Sequence, residues 1–286
     1  MRESARSQLP ARYIGLELAG AKNQKTALAA LEYYPKEKKI FLLDIYDKIT
    51  PHNGQTGDEA LLEVIDEIRP NVAKMGVNVP LTLPPCLGCS RRACVAPHKC
   101  TSPAVTWMRK TALKASKTQR RSRLREFTPY TQRPVELWVR HHVFPELDDD
   151  FHFEIDETLG GNKAPLTARM DFLKRCLKGL PLLEVWPKLT MAVIAKDLGL
   201  EKRIITRYRH LEEGVHSRNE VLERLSDKHG IFIYERDLKK LSHSLAAFDA
   251  FICAYTALLA DLERCAKIPR GFPVSSGWIQ YPELKS

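Results

Sequence analysis

Residues 13–79 leave this chain little choice of architecture, because their apolar residues fall into a strand, strand, strand, helix, strand order. Residues 13–20, Tyr-Ile-Gly-Leu-Glu-Leu-Ala-Gly, read as a short strand ending at glycine. A second strand is expected over 26–34. The turn at 35–39 leads to a third over 40–46, whose Leu-Leu-Asp-Ile-Tyr is apolar and β-prone. Hairpin links give this sheet an antiparallel start. Residues 56–67 read as a helix: Thr56 is placed to cap it, Glu59 follows three residues on, and Leu61, Leu62 and Ile65 make an apolar stripe. Residues 72–79 return as a strand. The order βββαβ predicts an α/β fold.

The remainder is less regular. Residues 80–101 are rich in Pro and Cys and show no period, as in an insertion held by something other than a core. Helices are expected at 102–113, with Pro103 in the first turn, and at 133–143. Residues 114–125 read as a basic loop or frayed helix. Residues 145–161 hold seven acids and no Lys or Arg, a solvated loop. Further helices are read at 166–179, 190–198 and 212–229, a short buried strand at 182–185, and a small edge strand or packed turn at 231–234. The strongest helix, 242–265, is Ala-rich and apolar around much of its circumference, so it should be largely buried. The tail 273–282, with Gly277-Trp278-Ile279, is expected to cover the sheet. The organisation implied is a single domain, 1–286, with a Cys-rich and basic insertion at 80–130.

No stretch reaches the roughly 20 apolar residues of a spanning helix, and the start, MRESARSQLPARY, has no apolar signal core. A cytoplasmic protein without a membrane partner is expected. Oligomeric state is not legible.

Charge is concentrated. The net charge is +10, yet residues 86–125 alone contain eleven Lys or Arg and no Asp or Glu, leaving a near-neutral body. Arg109, Lys110, Lys114, Lys117, Arg120, Arg121, Arg123 and Arg125 form most of this patch, flanked by Trp107 and Phe127. Basic charge beside aromatic rings suits nucleic acid, through backbone contacts that do not read sequence. At helical spacing Trp107 serves equally as core.

Three acids lie in apolar contexts: Glu17 in Leu-Glu-Leu, Glu184 in Leu-Leu-Glu-Val-Trp-Pro, and Asp249 in Ala-Ala-Phe-Asp-Ala-Phe. A buried carboxylate must be paired or bind metal. Glu17 or Glu184 paired with Arg, and Asp249 bonded to a neighbouring loop, are the structural alternatives. Converging from two strand ends and a helix, the three would make a hard oxygen site for Mg²⁺ or Mn²⁺ suited to phosphodiester hydrolysis. Alanines 246, 247 and 250 would let the helix approach the sheet closely, with Ser242 and Cys253 on the face of Asp249.

Several short motifs resemble the DUF429 family of predicted nucleases with a ribonuclease H-like fold. They are Gly15-Leu16-Glu17-Leu18-Ala19, Asn78-Val79-Pro80-Leu81-Thr82-Leu83-Pro84, Glu184-Val185-Trp186-Pro187 and Asp249-Ala250-Phe251, with Gly277-Trp278-Ile279 in the tail. The resemblance spans about residues 13–282. It implies a ribonuclease H-like α/β fold: a central mixed sheet, three antiparallel strands then parallel ones, flanked by helices. It also implies a metal-dependent nuclease with catalytic positions Glu17, Asn78, Glu184 and Asp249. Two departures matter. Glu17 stands where the family pattern has Asp, and Asn78 where it has a second Asp. The longer side chain and the lost charge pull toward the alternative of a catalytically impaired nucleic-acid-binding protein on the same fold, with the metal-dependent nuclease kept as the first expectation. A third reading is an interaction protein whose basic segment meets an acidic partner. Arg133 is a candidate to line the cleft.

Cys86, Cys89, Cys94 and Cys100 crowd fifteen residues. Four thiolates suit tetrahedral Zn²⁺. An iron–sulfur cluster uses the same chemistry, and free cysteines are the remaining alternative. A metal here would order the Pro-rich insertion and fix the basic residues after it.

Overall fold

A computed structural model describes residues 9–20, 26–52, 54–118, 127–147 and 155–284. Strands β1 (Ala11–Glu17), β2 (Ala27–Tyr34) and β3 (Lys39–Tyr46) form an antiparallel meander. Helix α1 (Gly57–Ile68) crosses to β4 (Val72–Val77), which pairs parallel to β1. Strand β5 (Leu182–Val185) lies parallel to β4, and β6 (Ile231–Phe232) parallel to β3. With β7 (Ile279–Gln280) they make a seven-stranded mixed sheet in the order β6-β3-β2-β1-β4-β5-β7.

The βββαβ order follows local chemistry. The Thr56 amide donates to Glu59 Oε2 at 2.6 Å and the Glu59 amide to Thr56 Oγ1 at 3.2 Å, closing the expected capping box of α1. Ala60, Leu61, Ile65 and Ile68 are buried beneath it. Residues 13–16 of β1 and 27–32 of β2 are buried without alternation, the mark of strands covered on both faces.

The chain divides into two compact units. The first, residues 1–79, 172–266 and 280–286, holds nearly all of the sheet. Its remaining helices are α5 (Pro187–Leu198), α6 (Lys202–Arg207), α7 (Glu213–His229), α8 (Glu235–His243) and α9 (Leu245–Asp261). The second, residues 80–171 and 267–279, contains the Cys-rich segment, α2 (Pro103–Thr118) and α3 (Pro134–Trp138). A π-helical turn over Val139–Val143 and a 3₁₀ turn over Phe144–Glu146 follow α3. The segment expected as one helix over 133–143 is thus a short α-helix continued by a wider turn. Helix α4 (Lys163–Cys176) carries the chain back to the first unit.

The C-terminal helix differs from expectation at its start. The 242–265 pattern is broken at Ser244, whose backbone is extended and whose Oγ accepts the Ala247 amide at 3.3 Å. Serine competes with the helix for backbone bonds and caps it instead. The chain bends by 111° between α8 and α9. Ser242 therefore sits in α8 and does not share the α9 face of Asp249 and Cys253.

Helix α9 is buried from Ala247 to Leu259 and lies across β1, β2 and β4. Its small residues do allow close approach, and two glycines supply the other half of the fit. Gly15 and Gly76 are register partners on β1 and β4. A Cβ on Gly15 would stand 1.9 Å from the Ala250 carbonyl oxygen, and one on Gly76 2.3 Å from that of Cys253. The backbone of α9 rests directly on this floor. Among the described residues, no single helix is long and apolar enough to cross a membrane.

Candidate functional site

Parallel strands end at the same edge, so β1, β4 and β5 carry their last side chains to one place. Glu17 is the final residue of β1. Asn78 follows β4, its amide donating to the Leu16 carbonyl at 3.0 Å. Glu184 on β5 is the register partner of Val77 and is buried. Asp249 arrives from α9, one residue before the carbonyl seated on Gly15. The four positions singled out by sequence thus lie along three adjacent strand ends and the helix resting on them.

Their partners depart from a metal centre. Asn78 turns its amide nitrogen to the acid: Nδ2 donates to Glu17 Oε2 at 2.6 Å. The Asp249 carboxylate is only 1% exposed, and Arg209 Nη1 donates to its Oδ2 at 2.7 Å. Arg209 keeps 33% of its side chain exposed. Burial works against its charge, but Asp249 outweighs this and holds the guanidinium protonated above its ordinary range. Of the alternatives open from sequence, Asp249 takes the bond to a neighbouring loop.

Arg209 is placed by a second arginine. Arg218, on α7 and fully buried, donates from Nε to the Ser242 carbonyl at 2.6 Å. Its Nη1 donates to the carbonyls of Tyr208 and His210, the latter at 3.2 Å. These bonds fix the residues on either side of Arg209. Tyr208 is buried against Phe248, their ring centroids 5.7 Å apart. Burial first, then the charge of Asp249, pushes the Tyr208 phenol well above its ordinary range; Glu17 adds to the rise and Arg209 opposes it. Glu17, Tyr208, Arg209 and Asp249 therefore share one electrostatic neighbourhood.

Two of these acids are turned to protein donors. One acid faces an amide N–H and another already holds a cation. Among the described residues, no group of three or more His, Cys, Asp or Glu side chains is arranged to hold a metal ion. Arg209 was not singled out from sequence. The only signal for it is generic: a buried acid needs a counter-charge, and a basic run, 202–209, lies on a nearby segment.

In the second unit all four clustered cysteines are free, Cys89 and Cys94 exposed and Cys86 and Cys100 partly buried. Burial pushes the Cys86 thiol up, and Cys100, Cys94 and Cys89 push it further, so the other three lie within electrostatic range. The segment is built from turns rather than regular structure, with amide-to-carbonyl bonds Leu87 to Pro84 and Lys99 to Ala96. Arg109 is part of that construction: its Nη1 donates to the carbonyls of Pro97, His98 and Cys100 at 3.0, 2.8 and 3.1 Å. Lys110 is exposed. Lys114 and Lys117 fall within α2, whose backbone alone is described there, and Arg120, Arg121, Arg123 and Arg125 lie outside the described residues.

Arg133 does not line a cleft. It is 1% exposed, as is Glu136, and the two pair at 2.9 Å inside the second unit. Comparison with protein families, with curated proteins and with solved structures finds no match to this chain.

Proposed function

We propose that this chain binds nucleic acid through its basic element and that its carboxylate site is neutralised by protein groups rather than by metal. The Arg209–Asp249 pair at 2.7 Å carries this reading over that of a Mg/Mn-dependent nuclease. A two-ion mechanism needs carboxylates free to clamp two cations. Here a guanidinium occupies the most buried acid, and Asn78 donates to Glu17 where the family pattern would supply a second acid. The resemblance to a ribonuclease H-like nuclease is consistent with the mixed sheet and with where these positions fall. The changes at residues 17 and 78 then mark a site that has exchanged metal for internal hydrogen bonds.

Affinity is assigned to the concentrated positive charge of residues 86–125. Binding of this kind weakens steeply with salt. The test is oligonucleotide binding across a salt series, comparing the parent with a protein in which Arg120, Arg121 and Arg123 are changed together to Gln. The expected result is weaker binding and a salt dependence shallower by about two to three charges. Asp249→Asn, in the same assay, should bind as the parent does. Binding that disappears in the Asp249 variant and persists in the triple variant would overturn the assignment.

We propose also that Cys86, Cys89, Cys94 and Cys100 take up one zinc ion as a structural clamp on the segment preceding α2. Free thiols and their spacing support this, with Cys86 in electrostatic range of the other three, although as they stand the four are not gathered into a metal-holding group. Binding would draw them together and release protons. Metal analysis of the purified protein should give one zinc per chain, lost in the Cys89→Ser, Cys94→Ser double variant. A metal-free parent that is equally folded and binds equally well would contradict it.

A further inference from the structure

A guanidinium carries its N–H donors in one rigid plane, and the edge formed by Nε and Nη2 matches two oxygens of a single oxyanion. Arg209 directs Nη1 to Asp249 Oδ2 at 2.7 Å. Among the described residues its Nε and Nη2 make no hydrogen bond, and both reach solvent. The buried acid thus fixes one edge of the group and leaves the fork open. The rest of the side chain is also ordered. Its guanidinium carbon stands 5.7 Å from the centre of the Tyr208 ring, and Arg218 holds the carbonyls of Tyr208 and His210 on either side. Little side-chain freedom is left to lose when an anion binds.

A second donor lies beside it. The Tyr208 hydroxyl is fully buried and has no hydrogen-bond partner among the described residues; Arg209 comes near it without the geometry of a bond. Buried hydroxyls are ordinarily satisfied. The location is also one that ligands use. Asp249 places Arg209 by the end of β1, at the edge where β1 and β4 run out in parallel, and open α/β sheets bind ligands at that edge. The acids there do not bar an anion. Asp249 is matched by Arg209, Glu17 accepts the Asn78 amide, and Arg218 adds a second cation within range of Asp249.

We infer that the Nε–Nη2 fork of Arg209 and the Tyr208 hydroxyl receive a phosphate group. A carboxylate has two oxygens and the fork uses both. A phosphate keeps further oxygens for the hydroxyl. A free nucleotide and the phosphorylated end of a strand present the same group. The inference stands apart from the basic element of residues 86–125 and does not depend on it.

The experiment titrates inorganic phosphate, a nucleoside 5′-monophosphate, and one labelled single strand bearing either a 5′-phosphate or a 5′-hydroxyl. The buffer is low in salt and free of other phosphate and of sulfate. The proteins are the parent, Arg209→Gln, Arg209→Lys, Tyr208→Phe and Arg207→Gln, each checked for folding by denaturant unfolding. Inorganic phosphate, followed by its phosphorus resonance, should bind about tenfold or more weakly to Arg209→Gln. Arg209→Lys keeps the counter-charge of Asp249 but not the fork, and should recover binding only in part. Tyr208→Phe should weaken it by a smaller factor. Arg207 is 56% exposed on the same segment, so Arg207→Gln removes an equal charge and should bind as the parent does. Tighter binding of the nucleotide than of inorganic phosphate identifies a free nucleotide as the source. A preference for the 5′-phosphorylated strand, lost in Arg209→Gln, identifies a strand end. Equal phosphate affinity in the parent, Arg209→Gln and Tyr208→Phe would overturn the receptor, as would an equal loss in Arg207→Gln. A parent that binds no phosphate would overturn it as well, and salt-dependent oligonucleotide binding in that same protein would leave the nucleic-acid reading standing.

Discussion

Two buried arginine–carboxylate pairs, one in each unit, show how alike parts serve unlike ends. Arg133 and Glu136 are three residues apart and equally hidden, at 1% exposure each. Arg133 donates from Nε and Nη2 to Glu136 Oε1, both at 2.9 Å, and its own amide reaches the other carboxylate oxygen. Thr158 Oγ1 adds a bond at 2.5 Å, and Arg133 Nη1 goes on to Thr82 Oγ1 at 3.1 Å. Every strong group is tied to its surroundings. Arg209 and Asp249 are forty residues apart, joined through Nη1, with the acid 1% and the arginine 33% exposed. The first pair is closed on all sides and fastens a fold. The second presents a cation to solvent above a buried acid, held there by Arg218 from behind. Burial alone does not mark a site.

The largest expected effect comes from breaking the closed pair. Glu136→Gln leaves the Arg133 charge buried without its counter-ion and should cost about 3–5 kcal/mol in denaturant unfolding. A loss below about 1 kcal/mol would mean that water reaches this pair, and the contrast would fail. Arg209→Ala should cost less, about 1–2 kcal/mol, because water can replace a partly exposed arginine at Asp249. The same variant uncovers carboxylates and should bind Mn²⁺ about tenfold more tightly than the parent by calorimetry. Unchanged Mn²⁺ affinity would show that Arg209 does not occupy the cation position.

A smaller effect concerns pH. The Tyr208 phenol is raised above the usual tyrosine range of about 10, chiefly by burial and then by Asp249. An unfolded chain releases this proton near pH 10, while the folded chain still holds it. The contribution is therefore complete below that pH and fades as pH rises above it. Arg209 opposes the rise, so Arg209→Ala should extend the alkaline loss of stability to higher pH, whereas Glu136→Gln should not. The same upper limit of that loss in the two variants would remove Tyr208 from the neighbourhood of the pair.

The sequence carried the architecture where the deciding interactions are local. The three strands, the Thr56–Glu59 cap and the apolar stripe of α1 depend on neighbours within a few residues. Glu17, Glu184 and Asp249 also stand out as charges in apolar surroundings, whereas Asn78 is singled out only by the resemblance. What escaped depends on contacts distant in sequence. Arg209 meets Asp249 only because α9 settles on Gly15 and Gly76, and an isolated glycine in a strand does not announce what rests on it. The break at Ser244 was hidden by the Ala-rich run after it, since a serine there reads as helix or cap alike. The π-helical turn after α3 has no sequence signature of its own.

The most direct test of the central claim is a cleavage assay. Labelled single-stranded, duplex, hybrid and branched substrates would be incubated with metal-stripped protein resupplied with Mg²⁺ or Mn²⁺, beside an Asp249→Asn control. A carboxylate site neutralised by Arg209 and Asn78 predicts salt-sensitive binding by both proteins with every substrate intact. Metal-dependent cutting by the parent and not by Asp249→Asn would contradict it.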